Sequence, residues 1–316
     1  MWTRRSVLTA GAALGAGLLL PLPAAMAATD QLRVGLRREP PHLDPTADGN
    51  PETIEVSYQN LFEGLTRIDE RGAVGPGLAQ AWTVSADGLT HLFTLRGEVR
   101  YHDGTSFDAE HVVFSLNRLR GAANTHPNRK LFDVIADVGA VDAGTAKVVL
   151  KRADPKFLFN LGRPEAAMVA PESADNNKAV PIGTGPFALV QWDSGQRALL
   201  ERNEDYWGPH PRINEAIFVF IADPVAALAA LAANEIDGFA DFAPAEIPPG
   251  LKTDPAFKVL GGTALGAPRV GVWNERLEGQ WTDAPLGGCV LADIHWPGAA
   301  APAARPAPSP DASGTD

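Results

Sequence analysis

The sequence predicts an α/β fold, in which the strands of a central sheet are connected by helices. Apolar residues alternate with polar or small ones over residues 32–36, a period of two that is typical of a strand. Residues 223–234 form an Ala- and Leu-rich segment of helical composition, flanked by short strand-like stretches at 217–221 and 236–242. A strand–helix–strand order of this kind is the unit from which α/β cores are built.

The other elements follow from periodicity and turn residues. Helical spacing predicts one helix over residues 54–65, closed by Gly64, and another over 106–119, where Ser106 begins a segment similar to a capping box. Further strands are predicted at 91–99, 134–141, 146–150, 187–192 and 197–202. Asp-Gly and Ser-Gly pairs between these strands indicate tight turns.

The composition and net charge of the chain limit the classes of molecule that it is expected to bind. The chain has 316 residues, 45% hydrophobic and 21% charged, and a formal net charge of −11. An acidic protein is not expected to bind nucleic acid or anionic lipid as its main partner. The one cysteine, Cys289, excludes an internal disulfide and is expected to be a small buried apolar residue.

The first 27 residues have the pattern of a signal peptide. Arg4 and Arg5 precede an apolar run over 7–22, and Ala25 and Ala27 form a small-x-small cleavage site. The paired arginines resemble a twin-arginine export signal, with an ordinary secretory signal as the alternative. The mature protein is therefore expected in the periplasm without membrane insertion. The Pro- and Ala-rich residues 297–316 are expected to be a disordered tail.

No catalytic pattern is present. The sequence has no G-x-S-x-G, H-E-x-x-H, P-loop or C-x-x-C motif, and the spacing of its seven histidines does not indicate a metal site. His102 and His111 could approach each other, but a surface or capping role is the better interpretation. The prediction is a protein that is not an enzyme and needs no metal or cofactor.

Four blocks of the sequence resemble the family 5 extracellular solute-binding proteins, which bind dipeptides, oligopeptides and nickel. They are residues 32–45, 58–119, 183–208 and 234–242, and their order and spacing agree with the family. The resemblance implies one lobe of a type II periplasmic binding protein with a β-rich subdomain. It implies lobe segments at 28–55 and 181–296, with the subdomain at 56–180.

The resemblance also implies a function: capture of a solute, with peptide as the expected class, for the permease subunits of an ABC transporter. Family members are longer and have a second lobe. The stretch 270–279 and the stretch 290–296 resemble the family's C-terminal strands, so the chain is interpreted as internally truncated after Leu260. A frameshift or premature stop is the rival explanation. A monomer with weak or absent ligand binding is expected.

Two other functions stay open. The first alternative is a remnant lobe that docks on the permease without ligand. The second alternative, which is less favoured, is an exported hydrolase.

The candidate ligand-binding residues lie in loops next to predicted strands, where open α/β sheets place their sites. They are Glu39, Pro40 and His42 after the first strand, Gly183, Thr184 and Gly185 in a backbone turn, and Phe239 and Asp241 near the end of a later strand. The glycine-rich turn offers backbone groups to a peptide main chain, and Asp241 offers a carboxylate to an amine.

Overall fold

A seven-stranded mixed sheet forms the main body of the protein in the computed structural model, which describes residues 30–69, 72–264 and 267–274. Its strand order is β12-β13-β11-β1-β10-β9-β8. The strands are β1 (Gln31–Leu36), β8 (Phe187–Asp193), β9 (Arg197–Arg202), β10 (Glu215–Phe220), β11 (Gly238–Phe242), β12 (Phe257–Ala264) and β13 (Ala267–Asn274). The predicted hairpin at 187–202 is confirmed by the antiparallel pairing of β8 with β9.

Strand β1 lies at the centre of this sheet and is parallel to both of its neighbours. It pairs with β10 over its whole length, and Val34 and Gly35 pair with β11. Parallel strands covered on both faces are buried, and Gly35 is buried together with its neighbours. A Cβ at Gly35 would lie 2.6 Å from the Phe239 ring, so only glycine fits beside that ring.

The connection between β1 and β11 includes a buried ion pair. The Asp237 carboxylate accepts hydrogen bonds from the backbone N–H of Arg33 at 2.8 Å and from its guanidinium at 3.0 and 3.2 Å. The side chain of Asp237 is only 3% exposed. Helix α4 (Pro224–Ala232), which the sequence predicts at 223–234, joins β10 to β11 and is capped by Asp223.

A four-stranded antiparallel sheet forms a second layer with helix α2 (Ala109–Arg120). Its order is β4-β5-β7-β6, from β4 (Ala79–Val84), β5 (Thr90–Leu95), β6 (Ile135–Asp142) and β7 (Thr145–Leu150). A separate pair, β2 (Thr66–Ile68) and β3 (Val74–Pro76), precedes it. Phe93, Val112, Leu116 and Val148 are among the fully buried residues between the sheet and the helix. This sheet lies within the predicted subdomain.

The structure corrects two predicted helices. Helix α2 begins after Asp108, whose side chain accepts hydrogen bonds from the N–H groups of Glu110 and His111, so Ser106 is not the cap. Helix α1 (Pro51–Ser57) is capped by Asn50 and ends at Ser57, so the predicted helix over 54–65 is wrong in its position. Among the described residues of the range 56–180, the other helical segments are α3 (Phe157–Asn160) and the 3-10 turns Arg129–Phe132 and Pro164–Ala166.

Gly64, predicted to close that helix, instead forms an isolated bridge with Ala167. A Cβ at Gly64 would lie 2.5 Å from the carbonyl oxygen of Leu161, so the close approach of two backbones requires glycine there.

The last described strands extend the main sheet beyond β11. Strand β13 pairs antiparallel with β11, and β12 pairs with β13 as a hairpin. Trp273 packs over Gly238, where a Cβ would lie 2.1 Å from the indole. The stretch 270–279, which resembles a C-terminal strand of the family, is therefore a strand as far as Asn274. The described residues do not include 275–279, the stretch 290–296, Cys289, the signal peptide or the tail.

Candidate functional site

The carboxyl ends of β1, β10 and β11 meet at one edge of the main sheet, because the three strands are parallel. In open α/β sheets, ligands bind outside the carboxyl ends of parallel strands. The loop after β1 begins at Arg37 and the loop after β11 carries the 3-10 turn Pro244–Glu246. The β8–β9 turn reaches the same edge, since β9 is antiparallel to β10. We call this the carboxyl edge.

Glu39 connects the loop after β1 to the β8–β9 hairpin. Its Oε1 accepts a hydrogen bond from Nε1 of Trp192 at 2.8 Å, and its Oε2 accepts one from the N–H of Gly195 at 2.9 Å. Both donors are neutral groups. Gly195 has a φ of +73°, a turn conformation that favours glycine. Glu39 therefore fixes the indole of Trp192 at the carboxyl edge.

Arg37 connects β1 to the loop after β11. Its guanidinium binds Glu246 with two hydrogen bonds and lies 3.7 Å from Asp241. The Glu246 hydrogen bond and charge raise the pKa of Arg37 against the opposing effect of burial. Next to it, Arg38 binds Glu52 at 2.6 Å. The carboxylates of this part of the edge are thus each bonded to an arginine.

An open depression of about 620 Å³ lies beside Glu39. The residues around it come from the loop after β1, from the segment before β8 and from the β8–β9 hairpin: Glu39, Pro40, Pro41, Lys178, Ala179, Trp192 and Ser194. Two predicted residues, Glu39 and Pro40, therefore line a concave surface. Volumes of roughly 300–1,000 Å³ are usual for small-ligand sites.

His42 points into the protein near this depression. It is 8% exposed, its Nε2 lies 2.8 Å from Asp48, and its backbone carbonyl accepts a hydrogen bond from Thr53. His42 thus orders the loop after β1, and its contact with ligand stays a prediction.

The Gly183–Gly185 turn lies at the opposite edge of the sheet, because it precedes β8. Cβ atoms at Gly183 and Gly185 would lie 1.9 and 2.3 Å from the carbonyl oxygens of Leu61 and Asn60. His102 holds the turn: its Nδ1 accepts from the Gly183 N–H and its Nε2 donates to the Gly185 carbonyl, both at 3.2 Å. The sequence could not distinguish this packing role from a ligand-facing turn.

Thr184 directs its hydroxyl to a buried carboxyl group. Glu63 accepts hydrogen bonds from Thr184 at 2.9 Å, from the Tyr206 hydroxyl at 2.9 Å and from Trp207 Nε1 at 2.8 Å. Burial raises the pKa of Glu63 to about 7, against the lowering effect of these donors. Burial lowers the pKa of the neighbouring His102 to about 4. These groups join the subdomain to the main sheet.

The two predicted residues on β11 differ in their surroundings. The Phe239 side chain is 0% exposed and stacks against Phe242, with ring centroids 4.5 Å apart. Asp241 is partly exposed at the carboxyl edge and faces Arg37. The structure therefore brings Glu39, Pro40 and Asp241 to one edge, and it places Phe239 in the core beneath.

Trp192 and Lys178 are among the residues of the depression that the sequence analysis does not single out as candidates. A tryptophan just before an Asp-Ser-Gly hairpin turn is a signal for a side chain at a sheet edge, whereas Lys178 lies in a loop without pattern. In the described part of the chain, no group of three His, Cys, Asp or Glu side chains could hold a metal.

A family model matches most of this architecture. The model described as bacterial extracellular solute-binding proteins, family 5 Middle, matches residues 73–279. The chain belongs to this family. Its members are substrate-binding periplasmic proteins rather than enzymes, which agrees with the resemblance found in the sequence. The matched range crosses 260–270, where the sequence interpretation places a deletion, so that deletion stays a prediction.

Curated relatives match over part of their length. The nickel-binding periplasmic protein of Escherichia coli (strain K12) is 34% identical over 183 residues, 56% of this chain and 35% of the relative. The glutathione-binding protein GsiB of the same strain is 31% identical over 216 residues, 67% of this chain and 42% of the relative. The chain thus spans less than half the length of these relatives.

Solved structures share the fold. NikZ from Campylobacter jejuni in complex with Ni(L-His) has a TM-score of 0.67 and 27% identity, over 75% of this chain and 48% of that one. DppA from Helicobacter pylori, an ABC transporter-associated periplasmic binding protein in complex with the peptide STSA, has a TM-score of 0.67 and 25% identity, over 73% and 50%. The α/β fold of type II periplasmic binding proteins is confirmed.

Among the residues that the structure describes, none of the helices has the length and apolar character needed to cross a membrane.

Proposed function

We propose that this chain is the solute-binding component of an ABC importer, acting in the periplasm after removal of residues 1–27, with peptides as its solute class. The observation that carries the proposal is the carboxyl edge of a type II fold, where Glu39, Trp192 and Lys178 surround an open depression. Two similar structures are complexes with the peptide STSA and with Ni(L-His), and one relative is named for glutathione binding. These ligands support the proposal that the solute is a small molecule with amino-acid chemistry.

The proposed role needs no reaction at this site. Binding would favour a closed arrangement that the permease subunits recognise, and the ATPase of the partner complex would supply the energy. In the proposal the chain works as a monomer, and no residue acts as a catalyst.

Affinity is expected to be weak. The depression is one wall of a site, and a solute on one wall keeps most of its hydration, so little apolar area leaves water. The proposed deletion after Leu260 would remove the facing wall. The pairing of β13 with β11 supports a return of the chain to this sheet. Sequencing the locus across the codons for residues 260–270 tests the deletion.

Saturation-transfer NMR on the full chain tests the function, because it detects millimolar binding. Di- and tripeptides, glutathione and Ni(L-His) are the probes. Signal transfer to at least one class, which grows with the solute concentration and levels off as the site fills, is the expected result. No transfer to any of them would overturn solute capture. Micromolar binding by calorimetry would contradict the argument that one wall is insufficient.

A docking lobe without ligand is the second candidate function. The observation that favours it is the match to only about half of each solved relative. Co-purification with a transmembrane partner from the native membrane, together with absence of solute binding, would support this candidate over solute capture.

A further inference from the structure

We propose that a polar pocket at the end of helix α2 binds a phosphate group with Arg120 and Lys151. The pocket has a volume of about 320 Å³, and six residues line it: Asn117, Arg120, Gly121, Asp133, Ile135 and Lys151. They lie at the end of α2, around the start of β6 and directly after β7, so this α2 pocket is formed apart from the main sheet. The inference goes beyond the proposed function and does not depend on it.

Positive charge is concentrated around the α2 pocket. The whole chain has a formal net charge of −11, whereas residues 117–156 contain eight lysines and arginines and four aspartates. Among the described residues, Arg118 has an ion-pair partner, Asp44, and the other seven cations of this range have no carboxylate within 4.0 Å. A local excess of positive charge attracts anions even on an acidic protein.

Arg120 is held in place by three acceptors, none of which is charged. Its Nε donates to Asn117 Oδ1 at 2.9 Å, and its Nη1 donates to the carbonyls of Ala136 at 2.9 Å and Ile135 at 3.4 Å. Its Nη2 has no acceptor in the part of the chain that the structure describes. The guanidinium is therefore fixed, with its charge unpaired and both N–H groups of Nη2 left for a ligand.

A cation in the last turn of a helix also complements the helix dipole, which is the simpler role for Arg120. At this end of α2, however, the carbonyls of Arg118 and Leu119 accept from Asn124 Nδ2 at 3.4 and 3.0 Å. Arg120 donates to carbonyls of β6 instead. The helix end therefore does not account for the position of its guanidinium.

Lys151 adds a second positive charge to the same pocket. Its Nζ donates to the backbone carbonyl of Asp133 at 2.7 Å, which positions the ammonium group and leaves two of its three protons for a ligand. The backbone N–H of Lys151 donates to the carbonyl of Val134 at 2.8 Å, so the segment that carries the side chain is itself held. Two fixed cations without carboxylate partners thus line one pocket.

The types of donor favour phosphate over a carboxylate. Arginine and lysine are the usual ligands of phosphate, which carries about two negative charges near neutral pH and several strong acceptor oxygens. The side chain of Asp133 also lines the pocket and opposes any anion. Because the two cations outnumber this carboxylate, a doubly charged phosphate gains more from the pocket than a singly charged carboxylate does.

Titration of inorganic phosphate into the full chain tests the pocket. Phosphorus NMR at constant ionic strength is expected to show a phosphate signal that broadens and then saturates. Acetate is expected to compete about 10-fold more weakly than sulfate, because sulfate carries the same double charge as phosphate.

Three variants assign the binding to the α2 pocket. Arg120→Gln and Lys151→Gln are each expected to weaken phosphate binding about 10-fold, because each removes one charge-assisted contact. Asp133→Asn is expected to strengthen binding about 3-fold, because a repelling carboxylate becomes a neutral amide. Loss of the fold cannot produce stronger binding, so this variant keeps the test valid even where Arg120→Gln is unstable.

The matched control for Arg120 is Arg100→Gln. Arg100 is exposed, and its guanidinium also donates to a backbone carbonyl, that of Gly104 at 3.0 Å. Lys252→Gln is the control for Lys151, since both lysines are exposed. Each control removes one positive charge outside the pocket and is expected to change the affinity for phosphate by less than about 2-fold.

Vesicles distinguish the two sources of a phosphate group. The full chain is sedimented with vesicles of phosphatidylglycerol and, as the neutral control, of phosphatidylcholine. Binding of inorganic phosphate without retention on phosphatidylglycerol assigns the pocket to a soluble phosphate group. Retention on phosphatidylglycerol that free phosphate reverses and Lys151→Gln abolishes assigns it to a lipid headgroup.

The remaining outcomes overturn the proposal. They are the absence of saturable binding to either probe, acetate competing as well as sulfate, and affinities that are equal in the wild type and in Arg120→Gln, Lys151→Gln and Asp133→Asn.

Discussion

Replacing Glu63 with glutamine is expected to change how the stability of the protein depends on pH. Burial raises the pKa of this carboxyl from its ordinary value of 4.5 to about 7. The folded state therefore holds the proton more tightly than the unfolded chain does. Its contribution to stability is fully present below pH 4.5 and is lost as the pH rises through 7.

The magnitude follows from the size of the shift. A rise of the pKa from 4.5 to about 7 corresponds to about 3 kcal/mol between the two protonation states. The free energy of unfolding of the wild type should thus lose about 3 kcal/mol from this group between pH 4.5 and pH 8. Glutamine has no proton to lose. The Glu63→Gln variant should become more stable relative to the wild type, by about 3 kcal/mol, over the same interval.

Urea denaturation at pH 4.5, 6, 7 and 8 measures the effect as a difference between variant and wild type, so that other titrating groups cancel. The amide of glutamine can still accept from Trp207 and Thr184, and Tyr206 can turn its hydroxyl to accept instead of donate. A constant loss of about 1 kcal/mol from imperfect hydrogen bonds does not affect the slope.

The matched control is Glu201→Gln, because Glu201 is exposed on β9. Its difference from the wild type should stay within about 0.5 kcal/mol at every pH. A flat difference for Glu63→Gln, equal to that of the control, would refute the burial argument and show that the carboxyl is ionised in water-like surroundings.

Three further changes are expected to act through packing and charge. The contribution of His102 to the free energy of unfolding should fall by up to about 3 kcal/mol as the pH drops from 6.5 towards 4, because burial lowers its folded pKa to about 4. The difference in the free energy of unfolding between His102→Phe and the wild type, in which the opposite effect of Glu63 cancels, should therefore shift in favour of the variant by this amount on acidification. Gly183→Ala should lower the free energy of unfolding by more than about 3 kcal/mol or prevent folding. The control Gly97→Ala has nothing within 4 Å of the new Cβ and should lower it by less than about 1 kcal/mol, and thermal unfolding of both variants measures the difference. Asp237→Asn should lower the free energy of unfolding by about 3–5 kcal/mol, because the guanidinium of Arg33 loses its carboxylate partner. Asp193→Asn, at the more exposed pair with Arg197, should lower it by less than about 1 kcal/mol. Equal losses in the two variants would contradict the role of burial.

The main sheet could be predicted from local pattern to a large extent. The alternation over 32–36, the hairpin at 187–202 and the helix at 223–234 are confirmed because their apolar faces match the surfaces they bury. The helix predicted over 54–65 failed, because its apolar residues, among them Leu61 and Phe62, are buried by a compact turn rather than by a helix face. Periodicity alone does not distinguish the two.

The candidate site could be predicted only in part. Strand direction places Glu39 and Asp241 at the carboxyl edge, since loops after parallel strands meet there. The sequence did not reveal the direction of β8 in the sheet, which places the Gly183–Gly185 turn before it at the other edge. It also did not indicate that Glu39 binds Trp192, which lies 153 positions away in the chain. Contacts of this separation depend on the register of β8 and β9.

The central position of β1 has a consequence for synthesis. Its partners begin at Glu215 and Gly238, so the first strand of the sheet cannot be added until about three quarters of the chain has left the ribosome. The four-stranded sheet closes within Ala79–Leu150 and can form much earlier. Because distant pairings slow folding, the smaller sheet should act as the nucleus, and β1 should stay without a strand partner until β10 has been synthesised.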